Sequence, residues 1–231
     1  MVKSEYIYLI WQDPKSRRKL VVGELKKDNG YKFVYTKEFE EAKKLGWGML
    51  KPFPEEKEYR SESLFPVFNC RLPDPKRRDI KDILKEYGMY NYDEFELLKK
   101  TGAKLPIDTY EFIDPIFPED KNIVKEFYLS GVRHVSGCEG VNCLGLNHSI
   151  SVGENLILKP EPENKFDRYA VMVSTEKGSD MGYIPRYYSE QVSMRLCKNI
   201  SYECIVTKID YNAECRDCIQ VRLKIPKIVS N

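Results

Sequence analysis

GENLILKPEPENKFDRYAVMV (153–173), followed by MGYIPR (181–186), decides how the second half of this chain folds. ENLILKP (154–160) and YAVMVST (169–175) have the apolar, β-branched content of strands, and MGYIP (181–185) reads as another. Pro, Asn and Asp fill the stretch between the first two, residues that fold turns through side-chain bonds to nearby amides. Working outward, FYLSGVRHV (127–135), SYECIVTKI (201–209) and DCIQVRLKI (217–225) are also strand-like, and residues about 187–197 form an amphipathic helix. The expectation is a β-rich half that closes as a small barrel.

Upstream, EYIYLIW (5–11) and KLVVGEL (19–25) flank a turn-forming DPKSRR and predict a hairpin, with YKFVYT (31–36) as a third strand. KEFEEAKKLG (37–46), RRDIKDILKEYG (77–88) and YDEFELLKKTG (92–102) have helical composition or spacing, and each ends in glycine. DPIFPEDKN (114–122) is rich in proline and acid and marks a boundary, placed near 120. The fold class expected is α+β. A mixed β-sheet with short helices occupies 1–120, and a small barrel-like β domain with one or two helices occupies 121–231.

The composition narrows the function. In 231 residues, 38 basic side chains face 36 acidic ones, a net charge of +2, and neither half is strongly basic. Coating a nucleic acid requires neutralising many phosphates, so nonspecific coating is excluded while a few placed contacts are not. The apolar runs fall well short of the roughly 20 residues that span a bilayer, so no membrane role is expected. No secretory signal is visible at MVKSEYIYLIW, and the seven cysteines then read as reduced thiols or metal ligands of a cytoplasmic protein.

The motif set at 153–186 resembles the HIRAN family, whose DNA-binding members grip the free end of a single strand. The features shared are Gly153-Glu154, the segment Glu161 to Val171 with its E-P-x-N-x-(aromatic)-D pattern, and the turn Gly182 to Arg186; the resemblance spans 126–197. It implies that Phe166 and Asp167 receive a terminal nucleotide, the ring stacking on the base and the carboxylate accepting a hydrogen bond from a free 3′ hydroxyl. Arg186 would contact phosphate. Asn164, Tyr183 and His148 complete the implied nucleic-acid-binding set. Read without the resemblance, Phe166 is equally a core ring, Asp167 equally bonds turn amides two residues on, and Gly182, Tyr183 and Pro185 are turn and packing residues. The loop 136–150 departs from the DNA-binding members, since it holds no Phe, Tyr or Trp and His148 carries its only ring.

VVGELKKDNGYKFVYT, FNCRLPDPKRRDI and YDEFELLKKTG resemble the N-terminal subdomain of HipA-type toxin kinases, over roughly 5–114. The matching features are Val22 to Leu25, Phe33 to Tyr35, Leu72-Pro73 with Arg77-Arg78, and Asp93 to Gly102. After 114 the chain turns to the second resemblance, leaving no room for the phosphate lysine, catalytic aspartate and metal acids a kinase needs. The implied role is an interaction module, such as the free-standing subdomain that restrains a separate HipA-like kinase.

Cys138, Cys143, Cys215 and Cys218 offer four thiolates to a zinc ion, although only one pair has close to knuckle spacing; the competing reading is reduced, unliganded loop cysteines, with no cofactor at all. Cys70, Cys197 and Cys204 have apolar neighbours and read as core fillers. Glu161 and Glu163 read as solvated charge in a proline-flanked loop. Two histidines and no P-loop supply no catalytic set, so the protein is expected not to be an enzyme. The first reading is an adaptor that holds single-stranded DNA, at a 3′ end, and a protein partner; the alternative is an antitoxin-like subunit that restrains a HipA-type kinase without DNA.

Overall fold

A computed structural model describes residues 5–135, 150–213 and 217–226. The chain divides into two units, Met1–Pro115 and Ile116–Asn231.

In the first unit, β1 (Glu5–Gln12), β2 (Lys19–Asp28), β3 (Gly30–Tyr35), β4 (Tyr59–Ser61) and β5 (Tyr110–Ile113) form one antiparallel sheet, ordered β4-β3-β2-β1-β5. Strand alternation turns Ile7, Leu9 and Trp11 of β1 into one core. Along β2 the core residues are Leu20, Val22 and Leu25, whose parity changes part-way. The change follows from a bulge: Leu9 pairs with Gly23 but Ile10 pairs with Val21, so the extra residue resets the alternation. Gly23 is glycine because Phe33 lies over it, with Cε2 2.4 Å from where a β-carbon would sit. The same ring stacks on Phe53 at 4.5 Å and meets Tyr35 and Phe68.

Four helices complete this unit: α1 (Phe39–Lys44), α2 (Pro66–Asn69), α3 (Ile80–Glu86) and α4 (Glu94–Thr101). Asp93 caps α4 by accepting from the Glu96 amide at 3.0 Å, and Gly102 ends it in the left-handed conformation. Arg71, with 7% of its side chain exposed, ties α2 to the approach of β5. Its guanidinium donates to both Asp108 oxygens, at 2.5 and 3.0 Å, and to the carbonyls of Ala103 and Tyr110. The hairpin, third strand and three helices expected from sequence are all present. β4, β5 and α2, of three or four residues each, are additions that carried no periodic signal.

Among the described residues, the second unit holds two three-stranded antiparallel sheets. β6 (Ile123–Tyr128), β10 (Glu203–Ile209) and β11 (Ile219–Ile225) are ordered β10-β11-β6, and β7 (Leu156–Pro160), β8 (Val171–Thr175) and β9 (Asp180–Tyr183) are ordered β7-β8-β9. Single bridges join them at both edges, Ser130 to Tyr183 and Asn155 to Ile205. The α+β reading therefore holds, and the second half is barrel-like without being a closed barrel. All five residues of β8 are buried, and α6 (Arg186–Leu196) packs against this strand.

FYLSGVRHV departs from its expected strand. β6 ends at Tyr128, Gly131 takes a positive φ of 70°, and Val132–Val135 form the short helix α5. Cys70 and Cys197 are exposed rather than core fillers, because each sits at a helix C-terminus where the chain leaves the interior. Cys204 is buried, and burial pushes its thiol up to about 12. Among the described residues, no helix is long and apolar enough to cross a membrane.

Two side-chain constraints hold the second unit. Gly182 has φ 149°, and a β-carbon there would lie 2.8 Å from the Ser130 carbonyl oxygen, so this joint closes only around glycine. Arg195 is buried on α6 and donates to the carbonyls of Phe117, Pro118 and Asp120, at 2.9, 3.2 and 3.2 Å, and to the Gln191 carbonyl and amide oxygens, both at 2.9 Å. Three carbonyls of the stretch read from sequence as an interrupting segment are thus anchored. Gly182→Ala is expected to destabilise the second unit by about 2 kcal/mol, the strain of a non-glycine residue in this conformation. Arg195→Met should cost about 2 kcal/mol by stranding the buried Phe117 carbonyl and removing the bonds to two part-buried ones. Urea unfolding of the full chain measures both, and unchanged midpoints would remove these two anchors from the account.

Candidate nucleic-acid interface

The ten residues EPENKFDRYA (161–170) join β7 to β8. The loop is closed at its base where the Glu161 amide donates to the Ala170 carbonyl at 2.8 Å. Two turns follow from its composition. Pro162 occupies the second position of a turn in which the Asn164 amide donates to the Glu161 carbonyl at 3.0 Å, and the Ala170 amide donates to the Asp167 carbonyl at 2.9 Å. Asn164 Oδ1 accepts from the amides of Phe166 at 3.0 Å and Asp167 at 3.3 Å, and Asp167 Oδ1 accepts from the Tyr169 amide at 2.9 Å. Short polar side chains here replace a ladder as backbone partners.

The loop is also tied to its surroundings. Asp167 Oδ2 accepts from the Ser189 hydroxyl at 2.7 Å, which joins the loop to the first turn of α6. On the other side, Glu161 Oε2 accepts from Asn164 Nδ2 at 2.9 Å and from the Tyr183 hydroxyl at 3.1 Å. Burial, followed by the neighbouring Glu161 carboxylate, raises the Tyr183 pKa, so the phenol keeps the proton it donates.

On this ordered frame Phe166 is 90% exposed. A single exposed apolar side chain is ordinary on a protein surface. This one differs because the amides on either side of its ring's attachment, its own and that of Asp167, are both held by Asn164. Around it in sequence are exposed Lys165 and Arg168, the Arg168 guanidinium lying 4.6 Å from the Tyr169 ring centre. Arg186, also exposed, is the first residue of α6, and Tyr187 packs edge-on against Tyr188 at 4.6 Å. Exposed Glu163 opposes these cations, and the loop also carries the Glu161 and Asp167 carboxylates. The arrangement offers a flat apolar face with cations near it, the elements of single-strand binding by stacking and phosphate contact.

The residues singled out from sequence thus separate. Phe166 is no core ring, and Arg186 is exposed at the helix start. Asn164 and Asp167 build the loop, Asp167 making the bond two residues on that the residue-level alternative described. The Tyr183 hydroxyl is engaged by Glu161, and its backbone bridges to Ser130. His148, Cys138, Cys143 and Cys215 lie outside the described residues, while Cys218 is buried beside β11. Among the described residues, no group of three or more His, Cys, Asp or Glu is placed to hold a metal. Glu161 corrects the sequence reading: it is half-buried and bonded, whereas Glu163 is solvated as expected. Arg168 and Ser189 were missed.

The family model for the HIRAN domain matches residues 124–225, and that for the HipA N-terminal domain matches residues 17–106. No curated protein matches the chain. Similar solved structures include the HIRAN domain of human HLTF, at 13% identity and a TM-score of 0.35 over 46% of this chain and 80% of that one. A protein from Lactobacillus plantarum is similar at 20% identity and a TM-score of 0.36, over 45% of this chain and 96% of that one. The chain thus joins a HipA N-terminal domain, over residues 17–106, to a HIRAN domain, over residues 124–225.

Proposed function

We propose that this protein is a non-catalytic adaptor whose HIRAN domain binds single-stranded DNA near a 3′ end and whose HipA N-terminal domain binds a protein partner, in the cytoplasm. The observation that carries the DNA half is Phe166, a ring nine-tenths exposed on a loop ordered by its own side chains. An aromatic face held ready loses little freedom on stacking, so more of the stacking energy appears as affinity. Lys165, Arg168 and Arg186 supply the phosphate contacts. Asp167 serves first as the loop's anchor, and its remaining lone pairs are the acceptors for a terminal hydroxyl.

The match of residues 17–106 to the HipA N-terminal domain supports the partner half and also a second reading, in which the protein restrains a separate HipA-type kinase. The readings separate on one titration. Fluorescence anisotropy of the full chain with a short labelled strand, at fixed near-physiological salt, is expected to show binding that Phe166→Ala weakens roughly 10- to 100-fold, the worth of about one stacked base. A 3′ phosphate should bind more weakly than a 3′ hydroxyl. Three phosphate contacts correspond to a log–log salt slope of about −2 for a single strand. Absence of binding to either strand would overturn the DNA half and leave the kinase-restraining reading in place.

A further inference from the structure

The geometry points to Glu161 as the positioning residue of the Phe166 loop, the side chain whose one oxygen decides whether the stacking ring is presented or lost. This rests on the DNA-binding reading above but carries a test of its own. Glu161 stands at the loop's first position, and its Oε2 is the common acceptor for Asn164 Nδ2 at 2.9 Å and the Tyr183 hydroxyl at 3.1 Å. Asn164 in turn uses its other side-chain atom, Oδ1, to hold the amides of Phe166 and Asp167. An amide side chain has a fixed plane, so fixing Nδ2 also fixes where Oδ1 points. The chain of contacts runs from Tyr183 through Glu161 and Asn164 to the backbone of Phe166.

Tyr183 gives this chain a rigid origin. It is the last residue of β9, and its backbone amide and carbonyl pair with Ser130 at 2.8 and 2.9 Å, at the joint between the two sheets. Asp167 and Ser189 hold the far side of the loop to α6, and on the near side the Glu161 side chain adds to the backbone bonds that close the base. The role requires an acceptor oxygen at this position, and it does not require the negative charge. A glutamine presents an equivalent oxygen to both donors, whereas alanine presents none.

The test uses the full chain and two readouts, backbone amide order parameters for residues 165–168 and anisotropy titration with an oligothymidylate bearing a free 3′ hydroxyl. Glu161→Ala is expected to drop the order parameters from rigid values near 0.85 to below about 0.6, and to weaken DNA binding about as far as Phe166→Ala does. Glu161→Gln is expected to restore both. Tyr183→Phe, which keeps the ring and removes one donor, should give an intermediate loss and serves in place of Glu161→Ala should that variant not fold. Wild-type order parameters in Glu161→Ala or Tyr183→Phe would overturn the assignment, as would a Glu161→Gln loop as mobile as the alanine variant's. If the wild-type protein binds no strand, the DNA-binding reading fails, while the order parameters still decide the role of Glu161.

Discussion

Asp167 commits both carboxylate oxygens inside the protein, one to the Tyr169 amide and one to the Ser189 hydroxyl, and the candidate site depends on that division. The first bond folds the loop on itself and the second fixes it to α6. A ten-residue connection without such bonds would keep its conformational freedom, and each residue ordered on binding would cost roughly 1 to 2 kcal/mol. Here those bonds are made without a ligand. An exposed Phe166 on a disordered loop would be an incidental apolar surface; on this loop it is a fixed stacking face.

The surrounding architecture keeps that frame in place. Two three-stranded sheets meet through a bridge at either edge, and at one of these joints Gly182 lies so close to the Ser130 carbonyl that a β-carbon has no room. Tyr183, next in the chain, belongs both to this joint and to the bond with Glu161. The position of the loop is thereby linked to the point where the sheets close. Arg195 does comparable work below α6, where its guanidinium gathers the carbonyls of residues 117, 118 and 120. Charge is abundant but nearly balanced, 38 basic against 36 acidic side chains, consistent with a protein that makes a few phosphate contacts and does not coat a strand.

Much of this was legible in the sequence. Aromatic and β-branched content in β1, alternation in β3, helical spacing in α3 and α4, and the 153–186 motif set each encode their element within a window long enough to show it. β4 and β5 escaped because three or four residues show no period, and they exist only as partners for β3 and β1. FYLSGVRHV has the composition of a strand throughout, yet Gly131 turns the chain and tertiary pairing of Ser130 with Tyr183 sets where β6 must stop. In the site, the motif located Phe166, Asp167 and Arg186 but did not separate a presented ring from the residues that present it. Hydrogen-bond partners more than 20 residues away, such as Tyr183 for Glu161 and Ser189 for Asp167, are set by the fold and leave no local trace.

Phe166, with Lys165 and Arg168 beside it in sequence and Arg186 at the start of α6, is the surface proposed for a single strand. The most direct measurement is an amide-resolved NMR titration of the full chain with a short oligothymidylate bearing a free 3′ hydroxyl. The account expects saturable shifts concentrated at Lys165–Tyr169 and Arg186–Tyr187, with residues 17–106 unmoved. Saturable binding that leaves Phe166, Arg168 and Arg186 unshifted would contradict it.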